Sequence, residues 1–204
     1  MKVPFLDLRV NDKSLKKKLL ARFNKVLTSG KILEGKEQKI FEKKFAKELK
    51  AKYAVGVSSG SSALFLALKS AGIGAGDEVI TTPFTWIITA NAISSVGAKP
   101  IFVDINEDLN IDPKKIPNAI TKKTKAIIPM HVGGKLCDMK EISKIAKHYK
   151  LKIIEDAAQA FCSLKQGKRA GAYSDAAAFS FNPMKTLHSY GEAGAVITNN
   201  KKIY

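Results

Sequence analysis

The stretch Ala54-Val55-Gly56-Val57-Ser58-Ser59-Gly60-Ser61-Ser62-Ala63-Leu64 decides the fold of this chain. A short apolar run ends in small, mostly hydroxylated residues, and an apolar helical stretch over residues 62–71 follows directly. A strand entering a helix through so tight a turn is the first half of a βαβ unit. The alternation continues outward. Further apolar runs stand at Glu78-Val79-Ile80-Thr81, Pro100-Ile101-Phe102-Val103, Ala126-Ile127-Ile128-Pro129 and Leu151-Lys152-Ile153-Ile154. Between them the pattern predicts helices over residues 85–96, 113–120 and 138–149. Continuous apolar strands separated by helices specify a parallel sheet covered on both faces. The last two runs, residues 176–181 and 193–198, are joined by a loop with no room for a crossover helix, so they are expected to pair antiparallel. The expected fold is one α/β domain on a mixed, mostly parallel sheet.

Upstream of this pattern lies a lysine-rich helical segment covering about residues 1–52. Residues 15–27 read as an amphipathic helix with Leu15, Leu19, Phe23 and Val26 on one face, stopped by Thr28-Ser29-Gly30. Residues 37–49 read as a second, with Ile40, Phe41, Phe45 and Leu49 inward.

Composition narrows the class. With 204 residues, 45% hydrophobic and 26% charged, usage is that of an ordinary globular domain, which excludes disordered and collagenous chains. Apolar stretches such as residues 86–88 and 176–179 are far too short to span a bilayer, and Met1-Lys2-Val3-Pro4 opens no apolar signal segment. Cys137 and Cys162 make neither a disulfide framework nor a CxxC pair, so a cytoplasmic, metal-free protein is expected. The charge is unusual: 35 basic against 18 acidic residues, a net +17. Such a balance raises nucleic acid or an anionic membrane as partners. Its make-up points elsewhere. Only Arg9, Arg22 and Arg169 are arginine, and the surplus is local, with fourteen basic and five acidic residues over positions 12–52. Lysine lacks the bidentate fork of arginine, and a solvated lysine surface with no nucleic-acid or membrane partner is the expectation.

In open α/β sheets ligands bind outside the carboxyl ends of the strands. Three polar clusters follow strands here: Ser58 to Ser62, Glu155-Asp156-Ala157-Ala158-Gln159, and Asn182-Pro183-Met184-Lys185. The serine turn offers N–H groups and a helix N-terminus to an anion, most often a phosphate, and suits an ordinary helix cap equally well. It is neither GxGxxG nor a Walker A loop, so dinucleotides and nucleoside triphosphates are not indicated. Asp156 ends an apolar strand, where a carboxylate needs a partner. That partner is either a structural cation or helix end, or a protonated heterocyclic nitrogen, and Gln159 is placed to reach the same ligand. Lys185 stands apart from the other lysines in apolar, glycine-rich surroundings with no acidic residue within five positions. Such a lysine, if desolvated, becomes a nucleophile toward carbonyls through a Schiff base, while a lysine pointing to water is the plain alternative. Trp86, the only tryptophan, is either core or a stacking plate for a planar ring. His131, His148 and His188 have no metal-ligand spacing, and His148 belongs to a lysine-rich surface. Taken together, a phosphate cup, a ring stacker, a carboxylate for a ring nitrogen and a Schiff-base lysine describe the surroundings of pyridoxal 5'-phosphate.

The ordered series Val3-Pro4-Phe5-Leu6-Asp7-Leu8, Gly56 to Leu64, Gly76-Asp77-Glu78-Val79-Ile80, Pro83-Phe84-Thr85-Trp86, Glu155 to Ala160 and Ser180-Phe181-Asn182-Pro183-Met184-Lys185 resembles the DegT/DnrJ/EryC1/StrS sugar aminotransferases. These are fold-type-I enzymes that use pyridoxal phosphate. The resemblance implies that residues 1–204 are their cofactor-binding large domain, without the C-terminal small domain, because family members are nearly twice as long. It implies that Lys185 forms the Schiff base and is catalytic. Asp156 pairs with the pyridine nitrogen, Gln159 lies by the phenolic oxygen and Trp86 covers the ring. Gly60, Ser61, Ser62 and Ser180 hold the phosphate. Serine stands at position 61 where the family often has threonine, and Lys135-Leu136 where glutamine and proline are frequent.

The implied activity is amino transfer from an amino acid, expected to be glutamate, to a nucleotide-linked keto sugar, by a homodimer whose sites are completed across the interface. The alternatives are a truncated or split half that binds the cofactor without turnover, and a related sugar dehydratase. The dehydratase relative carries histidine where Lys185 stands, which favours transamination.

Overall fold

Alternation along the strands builds a core on each face of the sheet. Ala126 and Ile128, Ala176 and Ala178, and Val196 face one side, whereas Ile127, Ala177, Phe179, Ala195 and Ile197 face the other. The computed structural model describes residues 3, 4 and 6–204, so Met1, Lys2 and Phe5, with the part of the N-terminal motif they carry, lie outside the described residues. The elements are α1 (Lys13–Ser29), α2 (Lys36–Glu48), β1 (Tyr53–Val57), α3 (Gly60–Ser70), β2 (Glu78–Thr81), α4 (Ile87–Ser95), β3 (Lys99–Phe102), β4 (Thr124–Ile127), α5 (Met139–Tyr149), β5 (Lys152–Asp156), β6 (Leu164–Lys165), β7 (Lys168–Arg169), β8 (Ala176–Ser180) and β9 (Gly194–Thr198).

Seven strands form one sheet in the order β1-β9-β8-β5-β4-β2-β3. The pairs β2·β3, β2·β4, β4·β5 and β5·β8 are parallel, and β9 runs antiparallel to both neighbours. The predicted antiparallel pair is therefore β8·β9, held in register from Ala176 opposite Thr198 to Ser180 opposite Gly194. α3 and α4 cover one face through Leu64, Leu68, Ala92 and Ile93. α5 and α2 cover the other, through Ile142 and Ala146 and through Phe45 and Leu49. Of the inward face expected of α2, Phe45 and Leu49 are buried and Phe41 packs against them, while Ile40 stays half-buried outside this core. β3, with Pro100, is an edge strand, where a residue lacking an N–H is tolerated.

One expectation fails, and two further features are not legible in the sequence. The helix predicted over residues 113–120 is only a 3-10 turn, Ile116–Ala119, because Pro113 and Pro117 each remove a helical N–H donor. The apolar face of α1 is not packed: no α1 residue is buried, and Phe23 is 61% exposed. The β6–β7 hairpin was not anticipated, since its exposed strands have no apolar pattern. It turns at Gln166 and Gly167, both with positive φ, the signature of a tight hairpin turn. Among the described residues no helix is long and apolar enough to cross a membrane.

Candidate functional site

The register brings the predicted clusters to one edge of the sheet. Gly194 opens β9 opposite both Val57, the last residue of β1, and Ser180, the last residue of β8. Asp156, the last residue of β5, lies beside Ala178. The carboxyl ends of β1, β8 and β5 are therefore neighbours, and the serine turn, Ser180 and Asp156 share a rim.

Ser59 caps α3: its side chain accepts the Ser62 N–H at 3.1 Å, while the Ser62 hydroxyl lies 2.8 Å from Ser58 Oγ. The capping and anion readings coexist, because a helix also leaves its first N–H groups, here those of Gly60 and Ser61, without intrahelical acceptors. Two glycines are required by closeness. A Cβ on Gly60 would lie 2.7 Å from Ser180 Cβ, and one on Gly194 would lie 2.4 Å from the Ser59 carbonyl. Ser180 thus sits directly against the N-terminus of α3. Its Oγ accepts the Asn182 N–H at 3.3 Å, so its own proton remains available to a ligand.

Asp156 is 4% exposed. Its carboxylate accepts from Thr89 Oγ1 at 2.7 Å and from the Ala158 N–H at 3.2 Å. Among the described residues no lysine, arginine or histidine pairs with it. Gln159 accepts the Gly133 N–H on Oε1 at 2.7 Å, and its amide nitrogen donates no hydrogen bond among the described residues. Trp86 is the N-cap of α4, next to the Thr89 turn, and is 73% exposed; it is not core. Lys185 is half-buried in the loop after β8, where its N–H donates to the Asn182 carbonyl at 2.9 Å and its amine makes no ion pair among the described residues.

An open groove of about 660 Å³ runs from Ser58, Ser61 and Ser62 between α3 and α4, over Phe65, Ile88 and Ala92. A tighter cavity of about 120 Å³ lies elsewhere, between the start of α5 and the β6–β7 hairpin, and none of the predicted site residues lines it.

Two features escaped sequence reasoning. Thr89 is fully buried and reaches Asp156 from α4; a hydroxyl within the apolar run Ile87-Ile88-Thr89-Ala90 was the available signal. His131, left ambiguous by sequence, is fully buried with Nε2 2.8 Å from Glu155 Oε2, and both Glu155 oxygens also accept the Gly171 N–H. The Cys137 N–H donates to Nδ1 at 3.2 Å, so Nε2 carries the ring proton and donates it to Glu155. Burial presses the imidazole pKa down, while the Glu155 charge beside it presses it up. This pair ties the 131–137 loop, and with it Gly133, to the strand that ends in Asp156. Among the described residues no three His, Cys, Asp or Glu side chains gather as a metal site.

A mostly parallel sheet with helices on both faces defines an α/β protein of the doubly wound class, a class whose ligand sites lie at the carboxyl edge. Comparison with known proteins carries this further. The DegT/DnrJ/EryC1/StrS aminotransferase family matches residues 13–204, and the chain belongs to that family. It is 47% identical over 203 residues to dTDP-3-amino-3,6-dideoxy-alpha-D-galactopyranose transaminase of Aneurinibacillus thermoaerophilus, covering 98% of this chain and 56% of that protein. Among solved structures, S. venezuelae DesV superposes with a TM-score of 0.95 at 43% identity, over 98% of this chain and 54% of DesV. Bacillus subtilis ntda, solved with bound cofactor PMP, superposes with a TM-score of 0.92 at 41% identity, over 99% of this chain and 46% of that one. The α/β fold is the one these aminotransferases share. The chain spans about half the length of the relatives it matches.

Proposed function

We propose that residues 1–204 are the cofactor-binding large domain of a pyridoxal-phosphate-dependent aminotransferase acting on a nucleotide-linked keto sugar. The observation that carries this reading is the buried Asp156 carboxylate, which has two hydrogen-bond donors and no cation among the described residues. A buried charge without a counter-ion is costly, and a protonated ring nitrogen supplies the missing positive charge. The other residues fit the same ligand. The Gly60 and Ser61 N–H groups with the Ser62 and Ser180 hydroxyls suit a phosphate, exposed Trp86 suits a ring face, and the amide nitrogen of Gln159 suits a ring oxygen. Bound there, pyridoxal phosphate supplies the electron sink through which an amino group passes between an amino acid and a keto carbon. Lys185 is the amine that tethers the group and then moves the proton, and Asp156 keeps the ring nitrogen charged.

The relatives' names support the substrate class: dTDP-sugar transaminases and a UDP-2-acetamido-2-deoxy-3-oxo-D-glucuronate aminotransferase are 39% to 47% identical to this chain. Glutamate is the expected donor, and the two unpaired cysteines suit a cytoplasmic setting. The rim is open and its lysine only half-buried, so water competes for the bonds that hold the ligand. The chain by itself is therefore expected to bind the cofactor weakly, with little turnover, and a complete homodimer tightly. The test is a chimera carrying the second half of the A. thermoaerophilus transaminase, supplied with pyridoxal phosphate, ¹⁵N-glutamate and a dTDP-linked keto sugar. Transfer of label to the sugar, by a dimer in sedimentation, is expected. A folded chimera that binds the cofactor and labels no keto-sugar nucleotide overturns the reading.

A further inference from the structure

We propose that Thr89 and Thr85 are positioning residues that orient Asp156 toward its ligand, an inference that rests on the function proposed above. Thr89 Oγ1 lies 2.7 Å from Asp156 Oδ2, and Thr85 Oγ1 lies 2.7 Å from Thr89 Oγ1. The direction of both bonds follows from counting protons. An ionised carboxylate only accepts, so Thr89 gives its single proton to Asp156. Thr89 can then only accept from Thr85, and the chain runs Thr85 to Thr89 to Asp156. Each donor strengthens the next, since a hydroxyl that accepts a bond is a better donor.

The placement makes this chain matter for the ligand rather than for the core alone. Thr89 is fully buried and lies one helical turn after Trp86, the exposed N-cap of α4. A single turn of α4 therefore carries both the exposed Trp86 side chain and the hydroxyl bound to the Asp156 carboxylate. With Oδ2 held by Thr89 and Oδ1 by the Ala158 N–H, both oxygens are fixed, and one lone pair on each is left for a donor from the ligand. The carboxylate is oriented before the ligand arrives, and its negative charge is supported by hydrogen bonds alone. Asp156 is thus ready for a protonated nitrogen, and among the described residues no cationic side chain competes for it.

The test compares Thr89→Val, which keeps the shape and removes the hydroxyl, with Thr89→Ser, which keeps the hydroxyl, and with Thr85→Val, which removes only the outer donor. Each chain is titrated with pyridoxal phosphate, and the bound cofactor's induced visible circular dichroism is recorded. Thr89→Val is expected to weaken cofactor binding about tenfold and to diminish the dichroic band. Thr89→Ser is expected to restore both to within about twofold, and Thr85→Val to show a smaller loss of the same kind. A melting scan of the cofactor-free chains separates these effects from unfolding. Equal affinity and dichroism in wild type and Thr89→Val overturn the inference while leaving the proposed function standing. The same holds if Thr89→Ser binds as weakly as Thr89→Val. Failure of the wild-type chain to take up any cofactor overturns both.

Discussion

Replacing Gly60 by alanine tests the shape of the phosphate cup. The new Cβ would lie 2.7 Å from Ser180 Cβ and 3.2 Å from its Oγ. That is about 0.8 Å short of the ~3.5 Å at which carbon atoms rest in contact, so the end of β8 and the start of α3 must part. Overpacking of this kind costs about 1–3 kcal/mol. Alanine is also the better helix former by about 1 kcal/mol, which offsets part of that cost and leaves a small net loss of stability. Ligand binding has no such offset. Parting the two elements pulls the Ser180 hydroxyl away from the N–H groups of Gly60 and Ser61, and a lost hydrogen bond to a charged group costs about 1.5–3 kcal/mol. Affinity for pyridoxal phosphate is thus expected to fall about 10- to 100-fold. Spectrophotometric titration gives the affinity, and denaturant unfolding of the cofactor-free chain gives the stability. Unchanged affinity would refute the assignment of the cup to these residues. So would an affinity loss no greater than the lost stability explains.

Other outcomes follow from the core and the buried pair. Leu68→Ala, at a fully buried position under α3, is expected to destabilise the chain by about 2–5 kcal/mol, measured by denaturant unfolding; a loss below 1 kcal/mol contradicts the packing described. His131→Leu strands the Glu155 carboxylate and is expected to cost about 3–5 kcal/mol near neutral pH, read in the same assay. Because Nδ1 accepts the Cys137 N–H, ring ¹⁵N spectra at pH 8 are expected to show a neutral His131 with its proton on Nε2; a doubly protonated ring there contradicts that bond.

Much of the fold is legible because buried strands and helices carry periodic patterns, and the strand ends point to the turn at Ser58 to Ser62, to Asp156 and to the loop that holds Lys185. What was not legible depends on long-range contacts. Thr89 meets Asp156 across 67 positions of chain, and His131 meets Glu155 across 24, distances at which side-chain spacing carries no signal. The apolar stripe of α1 correctly marked an amphipathic helix, but periodicity cannot say what packs against it, and no α1 residue is buried. In the 113–120 stretch Pro113 and Pro117 withhold N–H donors, and the segment closes only a 3-10 turn. Lys185 stood out by its neighbours alone, and the structure adds that its amine makes no ion pair among the described residues.

The most direct test is to mix the chain with pyridoxal phosphate, reduce with borohydride, digest and map the modified peptide by mass spectrometry. The expected result is a single dominant pyridoxyl adduct on Lys185, lost in Lys185→Ala and strongly diminished in Asp156→Ala. Adducts scattered over the lysines of residues 12–52, or an adduct of equal yield in Lys185→Ala, would contradict the central claim.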